Sequence, residues 1–320
     1  MPINNALIIG LGLIGGSLAK ALKYKAGLKN IWAMDVRDEY IKAAYDQGVV
    51  NCPTSANKGH INQSDVIIIC TPVLKTLDTV KEILPHVKPG CIITDVGSTK
   101  SVLMDKVAKI LPPHVCFIGG HPMAGSENSG YHFSSHHIFE NAYYILTPGP
   151  NHDNASLDRL RKIIEAIGSI PIIMDAGLHD RVTGLISHLP HILSGGLINL
   201  VMATDTQEGH GRKLAAGGFK DITRISSSSP EIWRDICISN KEQLLEIIDL
   251  YIKELDTFKT WLKDGQSDKL YRYFDNARRY RNRLASTPTG LIAPYFEIIV
   301  DVEDRPGQIG AISTLLGNHG

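Results

Sequence analysis

Ala6-Leu7-Ile8-Ile9-Gly10-Leu11-Gly12-Leu13-Ile14-Gly15-Gly16-Ser17 decides the fold of this chain. The apolar run reads as a strand that ends at Gly10, and Ser17–Leu22 reads as the first turns of a helix. Between them stands a G-x-G-x-x-G at Gly10, Gly12 and Gly15. Gly10 permits a tight turn, Gly12 lets backbone approach a pyrophosphate, and Gly15 lets helix pack close on strand. The free N–H groups of the new helix, backed by its dipole, suit phosphate. A second apolar run, Ile31-Trp32-Ala33-Met34, ends at Asp35, twenty positions past Gly15. A carboxylate there accepts hydrogen bonds from ribose hydroxyls and repels a 2′-phosphate. The expected cofactor is therefore NAD, held by Gly10, Leu11, Gly12, Leu13, Ile14, Gly15 and Asp35. Arg37 beside them leaves room for NADP.

The 320 residues suffice for two domains with a sizeable core. Lys and Arg total 33, as do Asp and Glu, so no global basicity points to nucleic acid. No apolar run looks long enough for a membrane span, and the first apolar stretch is a strand rather than a signal peptide. The five cysteines are scattered and lack C-x-x-C spacing. The expectation is a cytoplasmic protein in a reducing compartment, with no disulfide framework and no metal.

Further strands are expected at Ile31–Asp35, Asp65–Cys70, Cys91–Val96, Val115–Gly120, Tyr143–Thr147 and Ile170–Met174. Helices at Glu39–Gln47, Leu74–Leu84, Ser101–Leu111 and Ala155–Ile167 alternate with them. Such alternation implies an α/β domain with a doubly wound parallel sheet over residues 1–175. Sheets of this kind bind ligands at the carboxyl ends of their strands. Thr71, Pro72, Ser98 and His121 follow different strands but would converge on that edge with Asp35.

Over residues 176–287 the alternation stops, and Leu178–Leu200, Glu231–Leu262 and Asp268–Leu284 read as long helices. Shorter pieces lie near Ala203–Ala216 and Asp221–Ile225. This half opens with His179-Asp180-Arg181 and continues Ser187-His188-Leu189-Pro190-His191. His188 and His191, three apart, share a helix face, but no H-E-x-x-H or carboxylate partner accompanies them, which argues against a metal. Gly217-Gly218-Phe219-Lys220-Asp221-Ile222-Thr223-Arg224 ends at a guanidinium whose planar fork suits a substrate carboxylate. Residues 288–320 begin with a linker. Tyr295–Val302 then alternates like a strand, Asp304-Arg305-Pro306-Gly307 reads as a turn, and Gln308–Gly317 as a helix, the opening of a further domain cut short.

GLGLIGGS, TDVGSTK, GGHPMAGSE, HDRVTGLISHLPH and GGFKDITRI together resemble the prephenate dehydrogenase family of tyrosine biosynthesis, which includes arogenate dehydrogenases. The resemblance spans residues 4–285, and the tail resembles the first part of an ACT regulatory domain. It implies NAD-dependent oxidative decarboxylation of prephenate by a homodimer whose pocket is completed at the interface, with tyrosine as a feedback ligand. It also implies roles by residue. His121 takes the ring hydroxyl proton as hydride leaves the same carbon. Ser98 hydrogen-bonds His121 near the nicotinamide, and Arg224 binds a carboxylate. His191 lines the pocket with His188 close by. Glu127, Gly217, Lys220 and Asp221 form a polar gate and wall, and Trp233 an apolar one. An imidazole with its pKa near neutrality suits the base. The dianionic substrate needs local cations, which Arg224 and Lys220 would supply.

Three other readings stay open. Arogenate dehydrogenase differs only in the substrate's side chain. A 3-hydroxyacid dehydrogenase or imine reductase shares the layout but relies on a lysine in the first interdomain helix, and Leu178–Leu200 contains none. A non-enzymatic NAD sensor would not need the histidine and arginine blocks.

Overall fold

The computed structural model describes residues 3–125, 128–149, 152–206, 209–285, 302 and 305–319. In the first domain, β1 (Asn5–Ile9), α1 (Leu13–Tyr24), β2 (Asn30–Met34), α2 (Asp38–Asp46), α3 (Lys58–Gln63), β3 (Val66–Ile69), α4 (Thr76–Ile83), β4 (Ile92–Asp95) and α5 (Ser101–Ala108) lead to β5 (Cys116–Pro122). Then come β6 (Tyr143–Pro148), α6 (Asn154–Ala166) and β7 (Ile170–Ile173). The seven strands form one sheet in the order β2-β1-β3-β4-β5-β6-β7.

The inner strands β1, β3 and β4 are buried on both faces because helices cover both. Ala6 and Ile8 pack with Leu18, Leu22 and Ile41 on one side. Leu7 and Ile9 pack with Val80, Ile83 and Leu103 on the other. Each buried Leu, Ile or Val among them contributes about 1.5–3 kcal/mol.

Three details differ from the sequence expectation. β6 runs antiparallel to β5, pairing Gly119 with Thr147 and His121 with Ile145, so the sheet is mixed rather than wholly parallel. Among its described residues, the intervening segment holds the short turns Tyr131–Phe133 and His136–Phe139 and no crossover helix to bring β6 round in parallel. α1 begins at Leu13, four residues before Ser17, despite two glycines in its first turns. Those glycines are required by close packing: a Cβ on Gly15 would lie 1.8 Å from the Gly10 carbonyl oxygen, and one on Gly16 2.7 Å from the Tyr131 ring. β5 also extends to Pro122, which puts His121 inside the strand.

The helical half contains α7 (Ala176–Thr183), α8 (Leu189–Thr204), α9 (His210–Leu214), α10 (Gly217–Thr223), α11 (Pro230–Ser239), α12 (Lys241–Lys263) and α13 (Ser267–Ala285). α7 and α8 are joined without interruption by a π-helical turn at Gly184–His188. Pro190 supplies a cause, since it has no N–H and its ring crowds the carbonyl four residues back. The expected helix Glu231–Leu262 is two helices that meet at Asn240, a buried residue whose amide is used in the site.

Contrary to the expectation that no stretch approaches a membrane span, Ala176–Thr204 is long and apolar enough to cross one, with mean hydropathy 1.4. It also carries His179, Asp180, Arg181, His188 and His191. Leu185, Ile186, Leu200 and Met202 on it are exposed. Near the end of the chain, α14 (Gln308–His319) matches the expected helix. The expected strand Tyr295–Val302 lies outside the described residues except at Val302.

Candidate active site

Two cavities open at the carboxyl edge of the sheet. The first, of about 660 Å³, is bordered by Gly10, Gly12, Asp35, Arg37, Thr71 and Pro72. Gly10 has φ +97°, and a Cβ there would meet the Cys70 carbonyl oxygen at 2.8 Å. Nothing lies within 4 Å of a Cβ built on Gly12, so the space over that backbone is open. α1 has no side-chain cap, so its first-turn N–H groups at Leu13, Ile14 and Gly15 remain for an anion. Asp35 Oδ2 accepts the Leu11 N–H at 2.5 Å and Oδ1 accepts the Arg37 N–H at 2.8 Å. Leu11 thus spends its N–H on the carboxylate, and its side chain is core. The Arg37 guanidinium hydrogen-bonds the Tyr40 hydroxyl and lies over that ring, 5.0 Å from its centre. Thr71 Oγ1 is buried with no hydrogen-bond partner among the described residues. An open glycine turn, an uncapped helix, an oriented carboxylate and an orphaned hydroxyl fit a dinucleotide.

The second cavity, of about 580 Å³, brings together Ser98, His121, His188, His191, Arg224 and Trp233. Ser129 borders both cavities. His121 projects from the end of β5 beside the antiparallel β6. Beneath it, Asp95 at the end of β4 accepts N–H groups from Gly97 at 2.9 Å and Gly120 at 3.1 Å. Asp95 also pairs with the fully buried Lys100 ammonium. Burial lowers the Lys100 pKa and Asp95 opposes that.

His121 Nδ1 lies 2.9 Å from His179 Nε2, and His179 Nδ1 lies 2.8 Å from Asp180 Oδ1. Asp175 caps α7 by accepting the N–H groups of Gly177 and Leu178, which fixes the turn that carries this pair. Burial, then the neighbouring His179, Lys100 and His188, push the His121 pKa well below 6.5. That corrects the sequence expectation of a pKa near neutrality. Ser98 makes no hydrogen bond to His121; it shares the cavity, and His179 orients the ring instead.

His188 is buried at the end of the π turn. The Asn240 amide nitrogen lies 2.9 Å from the Asp180 carbonyl and 3.0 Å from His188 Nδ1. The carbonyl can only accept, so the Asn240 NH₂ faces both groups, His188 Nδ1 accepts, and its proton sits on Nε2. Burial pushes its pKa down to about 4. His191 stacks on Trp233, with ring centres 3.4 Å apart.

Gly217, Lys220 and Asp221 lie exposed on α10 and do not border either cavity, whereas Arg224, one turn further, does. Glu127 lies outside the described residues. The sequence reading passed over His179, Asp180, Asn240, Lys100 and Asp95. The adjacent His179-Asp180 pair was the one available signal, since a carboxylate beside an imidazole can set its tautomer.

The family model "Prephenate dehydrogenase, nucleotide-binding domain" matches residues 18–172, and "Prephenate dehydrogenase, dimerization domain" matches residues 175–276. Prephenate dehydrogenase of Bacillus subtilis (strain 168) is 39% identical over 97% of this chain and 84% of its own length. The crystal structure of prephenate dehydrogenase from A. aeolicus, in complex with hydroxyphenyl propionate and NAD+, is 31% identical. It superposes with a TM-score of 0.83 over 89% of this chain and 99% of that one. Synechocystis arogenate dehydrogenase is 28% identical with a TM-score of 0.78, over 88% of this chain and 99% of that one. The chain belongs to the prephenate dehydrogenase family.

Proposed function

We propose that this chain catalyses NAD+-dependent oxidative decarboxylation of prephenate to 4-hydroxyphenylpyruvate, with His121 as the base. The observation that carries the reading is the placement of His121 and Arg224 on one cavity that meets the Asp35 cleft at Ser129. NAD+ supplies the hydride acceptor when bound. The glycine turn and α1 receive its pyrophosphate, and Asp35 its adenine ribose.

Arg224 binds a prephenate carboxylate through its fork. The neutral His121 ring accepts the hydroxyl proton as hydride leaves the same carbon, since the developing carbonyl requires a base. The carbon–carboxylate bond then breaks. Its electron pair enters the ring, the carbonyl oxygen becomes a phenolate, and the protonated His121 returns its proton there. Products are CO2, the phenol and reduced cofactor, with no net proton released. Aromatisation makes the second stage downhill, so no metal or Schiff-base lysine is called for. Ser98 and the His188 Nε2–H offer hydrogen bonds to substrate oxygens, and Trp233 stacked on His191 forms an apolar wall.

The apolar side chains exposed on Ala176–Thr204 fit a second copy of the chain rather than lipid, in keeping with the dimerization-domain match. We read the protein as a cytoplasmic homodimer of tyrosine biosynthesis. Residues 288–320 are read as the start of an ACT-like segment with tyrosine as its ligand. NADH formation with purified prephenate and with arogenate, each with NAD+ and NADP+, tests the reading. Prephenate with NAD+ should be the best pair, and a preference for arogenate would replace the substrate.

A further inference from the structure

We propose that His179 and Asp180 form a positioning relay behind His121, fixing its tautomer and dispersing the charge it takes on. The proposal rests on the reading of His121 as the base. The Asp180 carboxylate receives the backbone N–H groups of Lys100 at 2.7 Å and Ser101 at 2.8 Å. Burial raises its pKa, but the His179 ring and these backbone donors together hold it below the usual carboxylate range. An ionised carboxylate only accepts, so the hydrogen between it and His179 sits on His179 Nδ1. A neutral imidazole so protonated has a bare Nε2. That nitrogen faces His121 Nδ1 at 2.9 Å, so His121 must donate from Nδ1. His121 Nε2 is then left bare to accept the substrate proton.

The relay is pinned at both residues. Thr183 Oγ1 donates to the His179 carbonyl at 2.9 Å, and Asn240 donates to the Asp180 carbonyl at 2.9 Å. His179 and Asp180 are 0% and 1% exposed. Among the described residues, the charged and titratable groups around His121 are His179 and Asp180 on α7, His188 on the π turn, Lys100 with Asp95 on the β4–α5 segment, and Arg224 across the cavity. Lys100 is paired with Asp95 yet still disfavours a positive charge on His121. Among the described residues, Asp180 is the carboxylate linked to His121 through a hydrogen-bonded ring, which places it to offset an imidazolium there, as a carboxylate does behind a base imidazole.

The test is the pH profile of kcat with prephenate for Asp180→Asn, His179→Gln and His179→Leu, beside His121→Asn. Asp180→Asn removes the anion, so His121 becomes harder to protonate. The acid limb should move to lower pH while the plateau kcat falls about tenfold to hundredfold. KM for prephenate and NAD+ should stay within about twofold, since neither residue binds them. His179→Gln keeps an oxygen acceptor for His121 Nδ1–H and should retain more activity than His179→Leu. A plateau that is unchanged, or one that falls with the acid limb unmoved, would overturn the relay. An active His121→Asn enzyme that keeps the limb would overturn the base reading instead. Nitrogen-15 histidine NMR of the unmutated protein gives a check that survives misfolded variants. His121 and His179 should both carry the proton on Nδ1, and His121 protonated on Nε2 would refute the relay.

Discussion

Replacing Lys100 with methionine tests how the floor of the site is held. Lys100 and Asp95 form an ion pair with both side chains 0% exposed. Removing one partner of a buried pair leaves an uncompensated charge, which costs about 3–5 kcal/mol. Asp95 would keep the N–H groups of Gly97 and Gly120. The expected loss is therefore at the low end, about 3 kcal/mol. At about 2–4 °C per kcal/mol for a domain of this size, Tm should fall by about 6–12 °C. Circular dichroism melts without cofactor measure this. Adding Asp95→Asn removes the orphan charge while keeping one acceptor, so the double variant should recover part of the loss. Because Gly120 precedes His121, Lys100→Met should also lower kcat. A drop below about 1 kcal/mol, the range of exposed pairs, would show that the pair does not support the site in this way.

Asp35→Ser removes the carboxylate proposed to receive the adenine ribose and should raise the ratio of NADP+ to NAD+ use, measured as relative kcat/KM. Greater wild-type activity with NADP+ would sink the role given to Asp35. Arg224→Ala should weaken prephenate binding by about 2–5 kcal/mol while leaving NAD+ affinity nearly unchanged. An unaltered KM for prephenate would remove Arg224 from the substrate. His188 is neutral in the folded protein down to about pH 4, whereas the unfolded chain protonates it near 6.5. As pH falls from 6.5 toward 4 the unfolded state binds the extra proton, so this residue alone costs about 1.4 kcal/mol of stability per pH unit. Urea melts across that window should show a smaller pH slope for His188→Gln than for the parent.

Much of the site was legible because parallel strands deliver their carboxyl ends to one edge. Asp35, Thr71, Ser98 and His121 could be placed there from four apolar runs and the residues that follow them. Arg224 was marked by its guanidinium, Trp233 came from the resemblance, and both border the cavity with His121. Gly217, Lys220 and Asp221 came the same way but sit on an exposed face of α10, because a motif does not say which way each turn of a helix points. The antiparallel β6 was not legible, since its direction depends on the path of the turns between Met123 and Ala142. The π turn was hidden because Gly184–His188 reads as ordinary helix until Pro190 is weighed against the carbonyl of Ile186. The contact of His121 with His179 joins residues 58 apart in two domains. No local pattern carries such a contact, although the two residues of the His179-Asp180 pair are neighbours in sequence.

The most direct measurement of the proposed reaction follows reduced cofactor, 4-hydroxyphenylpyruvate and CO2 together when the protein is given prephenate and NAD+, in parallel with His121→Asn. The three products should appear in equal amounts with the parent protein. The variant should bind both substrates yet turn over about 10²–10⁴-fold more slowly. A His121→Asn enzyme with near-parental kcat, or NADH formed without 4-hydroxyphenylpyruvate, would contradict the reaction and the base assigned here.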